Sequence, residues 1–167
     1  MDIKTALLKE HTKENSLLIA NYIGNDKKRF DELMQLFFHG GSRINQRAAW
    51  VVRFCWQNHP RLILPYLEEM VELLNTKTHP AVKRNIVGIF QEQDMPEHLQ
   101  GKLLDYSFKL LMDRREPVAI RVFSMTIIDN LSNTYPEIKQ ELIAYLKDEI
   151  DFGSAGFKSR AKKIIQR

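Results

Sequence analysis

Arg43, Arg47, Trp50 and Arg53 recur at spacings that would place three guanidinium groups and an indole on neighbouring positions of one helix. Guanidinium forks pair with carboxylates and phosphates, and an indole offers a large apolar or stacking surface. One and two periods further on, Arg84, Val87 and Phe90, then Arg121 and Ile127, occupy equivalent places. These nine residues form the candidate binding surface. No comparable candidate exists for catalysis. GxSxG, HExxH, a Gly-rich phosphate loop and a calcium loop are all missing. His59 and His79 precede prolines, where capping or loop packing is the expected role. His11, His39 and His98 have no Cys, Asp or Glu at recurring ligand spacing. Asp148, Glu149 and Asp151 lack the spacing and glycine of a calcium site. Cys55 is alone, which excludes a disulfide framework and a CxxC motif, and reads as a buried thiol. The expectation is a non-enzymatic protein with no catalytic residue, no metal and no cofactor.

Composition bounds the rest. The 167 residues are 44% hydrophobic and 28% charged, close to globular averages, so disordered and collagen-like classes are excluded. No apolar run reaches the roughly 18–20 residues of a membrane span. The start, with Asp2 and Lys4, lacks the apolar stretch of a signal peptide, so a cytoplasmic protein without a membrane partner is expected. The formal charge is +4, yet residues 158–167 hold five Lys/Arg and no acid, which leaves 20 basic against 21 acidic groups elsewhere. On that count the basic character belongs to one terminal helix, where cations suit the negative end of the dipole.

The elements that must position these side chains read as helices throughout. Phe30, Leu33, Met34, Phe37 and Phe38 mark one apolar helix face; Leu67, Met70, Val71 and Leu74 mark another. Leu103, Leu104, Phe108 and Leu111 repeat the pattern, as do Leu142, Ile143, Leu146 and Ile150. Asn58, Asp94 and Thr134 each stand two residues before a proline, and Glu97 and Glu137 would complete capping boxes.

The arrangement repeats. Arg47, Arg84, Arg121 and Arg160 are separated by 37, 37 and 39 residues. Apolar columns accompany them: Ile44, Ala81, Val118 and Phe157 three before, Phe37, Leu74, Leu111 and Ile150 ten before, and Phe30, Leu67, Leu104 and Ile143 seventeen before. A repeat of this length built from two helices implies an all-α superhelix of stacked helix pairs. The expected organisation is one domain over residues 1–167, with a helical cap at 3–24 and pairs at about 26–58, 59–94, 95–132 and 134–167, nine or ten helices in all.

The Val/Ala-x-x-Arg runs Ala81-Val82-Lys83-Arg84 and Val118-Ala119-Ile120-Arg121 resemble the second helix of a HEAT repeat, an armadillo-type fold. The Asp that often braces the repeat arginine in that family is replaced by Gly41, Thr78, Arg115 and Ser154. Nearly the whole chain is similar to small bacterial HEAT-like proteins, some of which carry an adenylosuccinate lyase label. That activity is not expected, because Ser124-Met125-Thr126 lacks the Pro, Lys and Asn of the lyase loop.

On the second helices the positions facing away from the core are Gln46, Trp50 and Arg53, then Lys83, Val87 and Phe90, then Ile120, Ser124 and Ile127. Five of the nine are apolar, which has two readings. Either the strip lines a concave groove open to a partner, or the inner helices fold against the N-terminal cap and bury it. The first reading makes the chain a module for a protein segment, with Trp50, Val87, Phe90 and Ile127 as apolar contacts. The alternative class is nucleic-acid binding, since Arg43, Arg47, Trp50 and Arg53 are similar to the basic, aromatic-bearing face of HEAT-like DNA glycosylases. The acid those enzymes place one turn after their Trp is Phe54 here. The C-terminal helix, with Phe157, Ala161, Ile164 and Ile165 on one side, would cap the stack or mediate a weak homodimer.

Overall fold

The computed structural model describes residues 1–167. Ten α-helices and two 3-10 segments account for the ordered elements, and no strand is present. Contacts divide the chain into two compact units, Met1–Ile89 and Phe90–Arg167.

In the first unit, the N-terminal stretch is two helices, α1 (Ile3–Lys9) and α2 (Lys13–Ile23). The break between them is built by side chains. Thr12 caps α2 by accepting from the Asn15 N–H, and the Asn15 amide donates to the Ala6 and Glu10 carbonyls at 2.9 and 3.0 Å. Capping of this kind stabilises a helix start by about 1 kcal/mol. Next come α3 (Lys27–His39), capped by Asp26, and α4 (Ser42–Asn58). The turn between them requires glycine twice. A side chain on Gly40 would collide with the Leu36 carbonyl and Ile44, and Gly41 has φ +84°, a conformation that L side chains rarely adopt.

The following segment is not one continuous helix. Pro60–Tyr66 is a 3-10 run, and α5 (Leu67–Leu73) begins only after it. Pro65 lies inside that run and cannot donate a backbone hydrogen bond, so an α-helix cannot pass through unbroken. The α6 helix (Pro80–Phe90) completes the unit. Its start carries the histidine cap: the Ala81 N–H donates to His79 Nδ1 at 3.0 Å. The core takes in Phe30, Leu33, Met34 and Phe37 from α3, Ala48, Val51, Val52 and Cys55 from α4, and Leu67, Met70 and Val71 from α5. Both α2 and α3 pack on α4.

The second unit holds α7 (Glu97–Met112), α8 (Val118–Leu131), α9 (Pro136–Glu149) and α10 (Ala155–Ile165). Its core gathers Leu111, Met125, Ile128, Leu142, Leu146, Phe157, Ala161 and Ile164. Burial of a residue such as Phe157 contributes about 1.5–3 kcal/mol. Leu104 and Ile150 lie at the margin of this cluster rather than within it, and Val118 is exposed. The anticipated capping boxes do not form: Pro96 and Tyr135 occupy the cap positions of α7 and α9, and neither helix has a side-chain cap. Asp94 and Thr134 therefore fall outside the first turn.

Three of the four repeat arginines are held without an Asp ladder. Arg47 Nη1 donates to the Leu7 carbonyl at 2.7 Å, and Arg160 donates to the Thr126 hydroxyl. Arg121 donates to the Leu111 carbonyl at 2.8 Å and to Tyr145 Oη at 3.2 Å, and its guanidinium lies over the Phe157 ring. Glu149 ties Arg121 to Arg114. Other braces connect neighbouring helix pairs: Tyr66 donates to Asp31 and Tyr135 to Gln100, each pair separated by 35 positions.

Candidate interaction surface

Of the nine candidate residues, α4 and the start of α6 keep five accessible, and burial removes the other four. Arg43 and Arg84 are exposed, whereas Arg47, Trp50 and Arg53 are half-buried. Val87, Phe90 and Ile127 are 0%, 3% and 1% exposed, and Arg121 only 9%. An open apolar strip along all the second helices is thereby corrected. The reason is plain in α8, which packs against α7, α9 and α10 and so has no free face. Ile120 and Ser124, assigned to its outer side, are fully buried. A helix that is apolar nearly all round is buried all round. Residues 85–90 of α6 are likewise buried without interruption. Phe90 and Ile127 do come together, with Leu103 and Leu131, against a pocket of about 480 Å³ in the second unit. Its polar lining includes Gln91, Gln100, Asn130 and Asn133. Two of these amides are already engaged: Asn130 donates to the Gln91 carbonyl, and Gln100 bonds both Met95 and Tyr135.

The accessible part of the surface belongs to the first unit. Along α4, Arg43, Arg47, Trp50 and Phe54 follow one another at helical spacing. The Trp50 ring stacks on Phe54 with centroids 5.8 Å apart and packs edge-to-face with His11 at 5.6 Å. His11 sits in the α1–α2 turn that Asn15 holds in place. With Arg47 bonded to Leu7, this corner realises the packing of an inner helix against the N-terminal cap, and Trp50 loses part of its exposure to it.

The electrostatics of the corner are one-sided. The His11 imidazole, although largely exposed, titrates below its ordinary range. Partial desolvation is the first cause, followed by the positive charges of Arg47 and Arg84 and the electrostatic influence of the nearby His79. No carboxylate acts in the opposite direction. Between them, α4 and α6 carry Arg43, Arg47, Arg53, Lys83 and Arg84 and not one Asp or Glu. The Arg53 guanidinium lies against α6, where a side chain on Gly88 would come within 2.9 Å of it. His79 accepts at Nδ1, which places the proton of a neutral ring on Nε2.

Charge is distributed between the units differently from the C-terminal concentration read from the sequence. Residues 1–89 contain 13 Lys/Arg and 9 Asp/Glu, a balance of +4, and residues 90–167 contain 12 of each. Acidic residues elsewhere in the second unit offset its C-terminal cations; Asp129, for example, pairs with Arg167 at 2.9 Å and with Lys139. In the sequence, His11 is set aside for want of ligand spacing, and His79 is assigned a capping or loop-packing role. The absence of acids from α4 and α6 was the signal that could have located the site. Cys55 is the buried thiol expected: it is 1% exposed, and desolvation raises its pKa to about 12.

Comparison with known proteins agrees with the helical repeat. A family model described as the HEAT repeat domain matches residues 3–167. The chain belongs to the HEAT repeat family. HEAT repeats generally mediate protein–protein interaction. No curated protein and no solved structure gives a match. No helix of this HEAT repeat protein is long and apolar enough to cross a membrane.

Proposed function

We propose that this HEAT repeat chain is a non-enzymatic interaction module that binds a segment of a partner protein on the α4–α6 face of its first unit. The observation that carries the reading is the half-exposed Trp50 beside Arg43, Arg47 and Arg84. Aromatic and arginine side chains of this kind dominate the energetics of protein interfaces. Family membership supports the same class of function. A nucleic-acid reading draws on the acid-free α4 and α6, but Trp50 is half-buried and already meets the Phe54 and His11 rings, which reduces the indole surface on which a base could stack.

The test is affinity capture with the full chain beside its Trp50→Ala and Arg84→Glu variants, with labelled duplex and single-stranded DNA titrated in parallel. The reading expects a protein partner retained by the wild type and lost from both variants. Capture that is indifferent to both substitutions refutes it. So does DNA binding at micromolar concentration that collapses between about 50 and about 200 mM salt.

A further inference from the structure

We propose that the segment received on the α4–α6 face is acidic, with its Asp or Glu carboxylates docking among Arg43, Arg47, Arg84 and His79 beside Trp50. The proposal rests on the interaction-module reading and names the chemistry of the partner.

Three observations lead to it. The first is a set of exposed cations on two helices, α4 and α6, that carry no acid of their own. Arg43 and Arg84 are exposed and form no ion pair. Cations elsewhere in the chain do find carboxylates, among them Arg29 with Asp26, Lys109 with Asp105 and Arg114 with Glu149. Like charges gathered on one surface repel, and an arriving carboxylate relieves that repulsion.

The second observation is pre-organisation. Arg47 is anchored by its bond to the Leu7 carbonyl, which holds the guanidinium in place while other donors remain for a carboxylate fork. His79, fixed through Nδ1, is left with an Nε2–H donor. Side chains already held in place lose less freedom when a ligand arrives.

The third observation decides between polyanions. A nucleic acid needs stacking platforms and an extended track of cations along its backbone. Here the indole is half-buried and already meets the Phe54 and His11 rings, and the net positive charge belongs to a single unit of 89 residues. A short acidic peptide needs only a compact cluster of donors and an apolar neighbour.

The groups facing His11 sharpen the picture. Arg47 on α4, Arg84 on α6 and His79 before α6 all oppose its protonation. Carboxylates placed among them reverse the sign of the local field. Binding then raises the His11 pKa and takes up a proton, so affinity increases as pH falls through the His11 range.

The experiment uses the full chain and three labelled probes: a short Glu-rich peptide, its Gln-for-Glu counterpart and a DNA duplex. Binding is read by fluorescence anisotropy at about 50 and about 200 mM salt, and the His11 imidazole is followed by NMR. The Glu-rich peptide should bind best, weaken with salt and raise the His11 pKa. Arg43→Glu combined with Arg84→Glu should lower its affinity about tenfold or more. Lys162→Glu combined with Lys163→Glu, on exposed α10 positions, should leave it within about twofold. Both pairs lie at exposed sites, and thermal melts establish that the variants fold. Equal binding of the Gln peptide, equal loss from both pairs, or no binding of the Glu peptide overturns the acidic-partner proposal and leaves the module reading to its capture experiment. Preferential DNA binding that disappears with Arg43→Glu and Arg84→Glu overturns both.

Discussion

Replacement of Glu149 by Gln tests the buried ionic network of the second unit. Glu149 is 9% exposed and joins two arginines: Arg114 Nε at 3.1 Å and Arg121 Nη2 at 3.3 Å. Arg114 is 63% exposed at its side chain, so solvent screens that half of the interaction and its contribution is small. Arg121 is only 10% exposed, and the substitution removes the one carboxylate that balances it. Its bonds to Leu111 and Tyr145 and its place over Phe157 survive the change. The loss is therefore that of charge-assisted hydrogen bonds rather than of an entire buried pair, about 1.5–3 kcal/mol. The Arg114 hydrogen bond, with that of Arg121 after it, holds the Glu149 carboxyl below the usual carboxylate range against the opposing effect of burial; because solvent screens the exposed Arg114, the buried Arg121 carries most of the resulting stability. A depressed folded-state pKa supplies stability above the unfolded value, near pH 4.3, and that stability disappears as pH falls through the lower folded value. Gln resembles the protonated acid, so the wild type and the variant should converge in acid. Urea unfolding of both proteins, followed by circular dichroism across this pH range, measures the difference. Tryptophan fluorescence would be the wrong probe, because Trp50 and Trp56 both lie in the first unit. A deficit below about 0.5 kcal/mol at neutral pH, or one that stays constant as the pH is lowered, refutes the assigned role.

Two further predictions follow from packing. Leu67→Ala should cost about 2–5 kcal/mol because Leu67 is 2% exposed, whereas Leu104→Ala, at the edge of the second core, should cost about half as much; denaturant midpoints that reverse this order would refute the burial assignment. Cys55 should resist a thiol reagent at pH 8 in the folded protein and react once urea unfolds the first unit, since its buried thiol titrates only near 12; rapid native labelling would refute that.

Helix type, the repeat and the family resemblance were legible in the sequence because each depends on local periodicity. Hydrophobic spacing at Phe30, Leu33, Met34 and Phe37 requires one buried face whatever the neighbours are, and that face is buried. The arginine column was equally visible, but its partners were not. Arg47 finds a backbone carbonyl 40 residues away, and Arg121 finds Leu111, Tyr145 and Glu149. No spacing rule predicts a backbone acceptor, because every residue offers one.

The candidate surface divides along the same line. Arg43, Arg47, Trp50, Arg53 and Arg84 keep some exposure, and their density without acids could be counted from the chain alone. Whether Val87, Phe90, Arg121 and Ile127 were open or covered depended on how many neighbours each second helix has. Periodicity distinguishes the two faces of a helix packed on one side, but it cannot show that α8 is enclosed by three others. Burial of a face is a property of the assembled helices, and only the tertiary structure could decide it. The sequence by itself determined a repeat of amphipathic helix pairs whose second helices carry an arginine column. Tertiary packing reduced a nine-residue strip to one cationic corner around Trp50 and His11, because two of its sides are supplied by the α1–α2 cap and by α6.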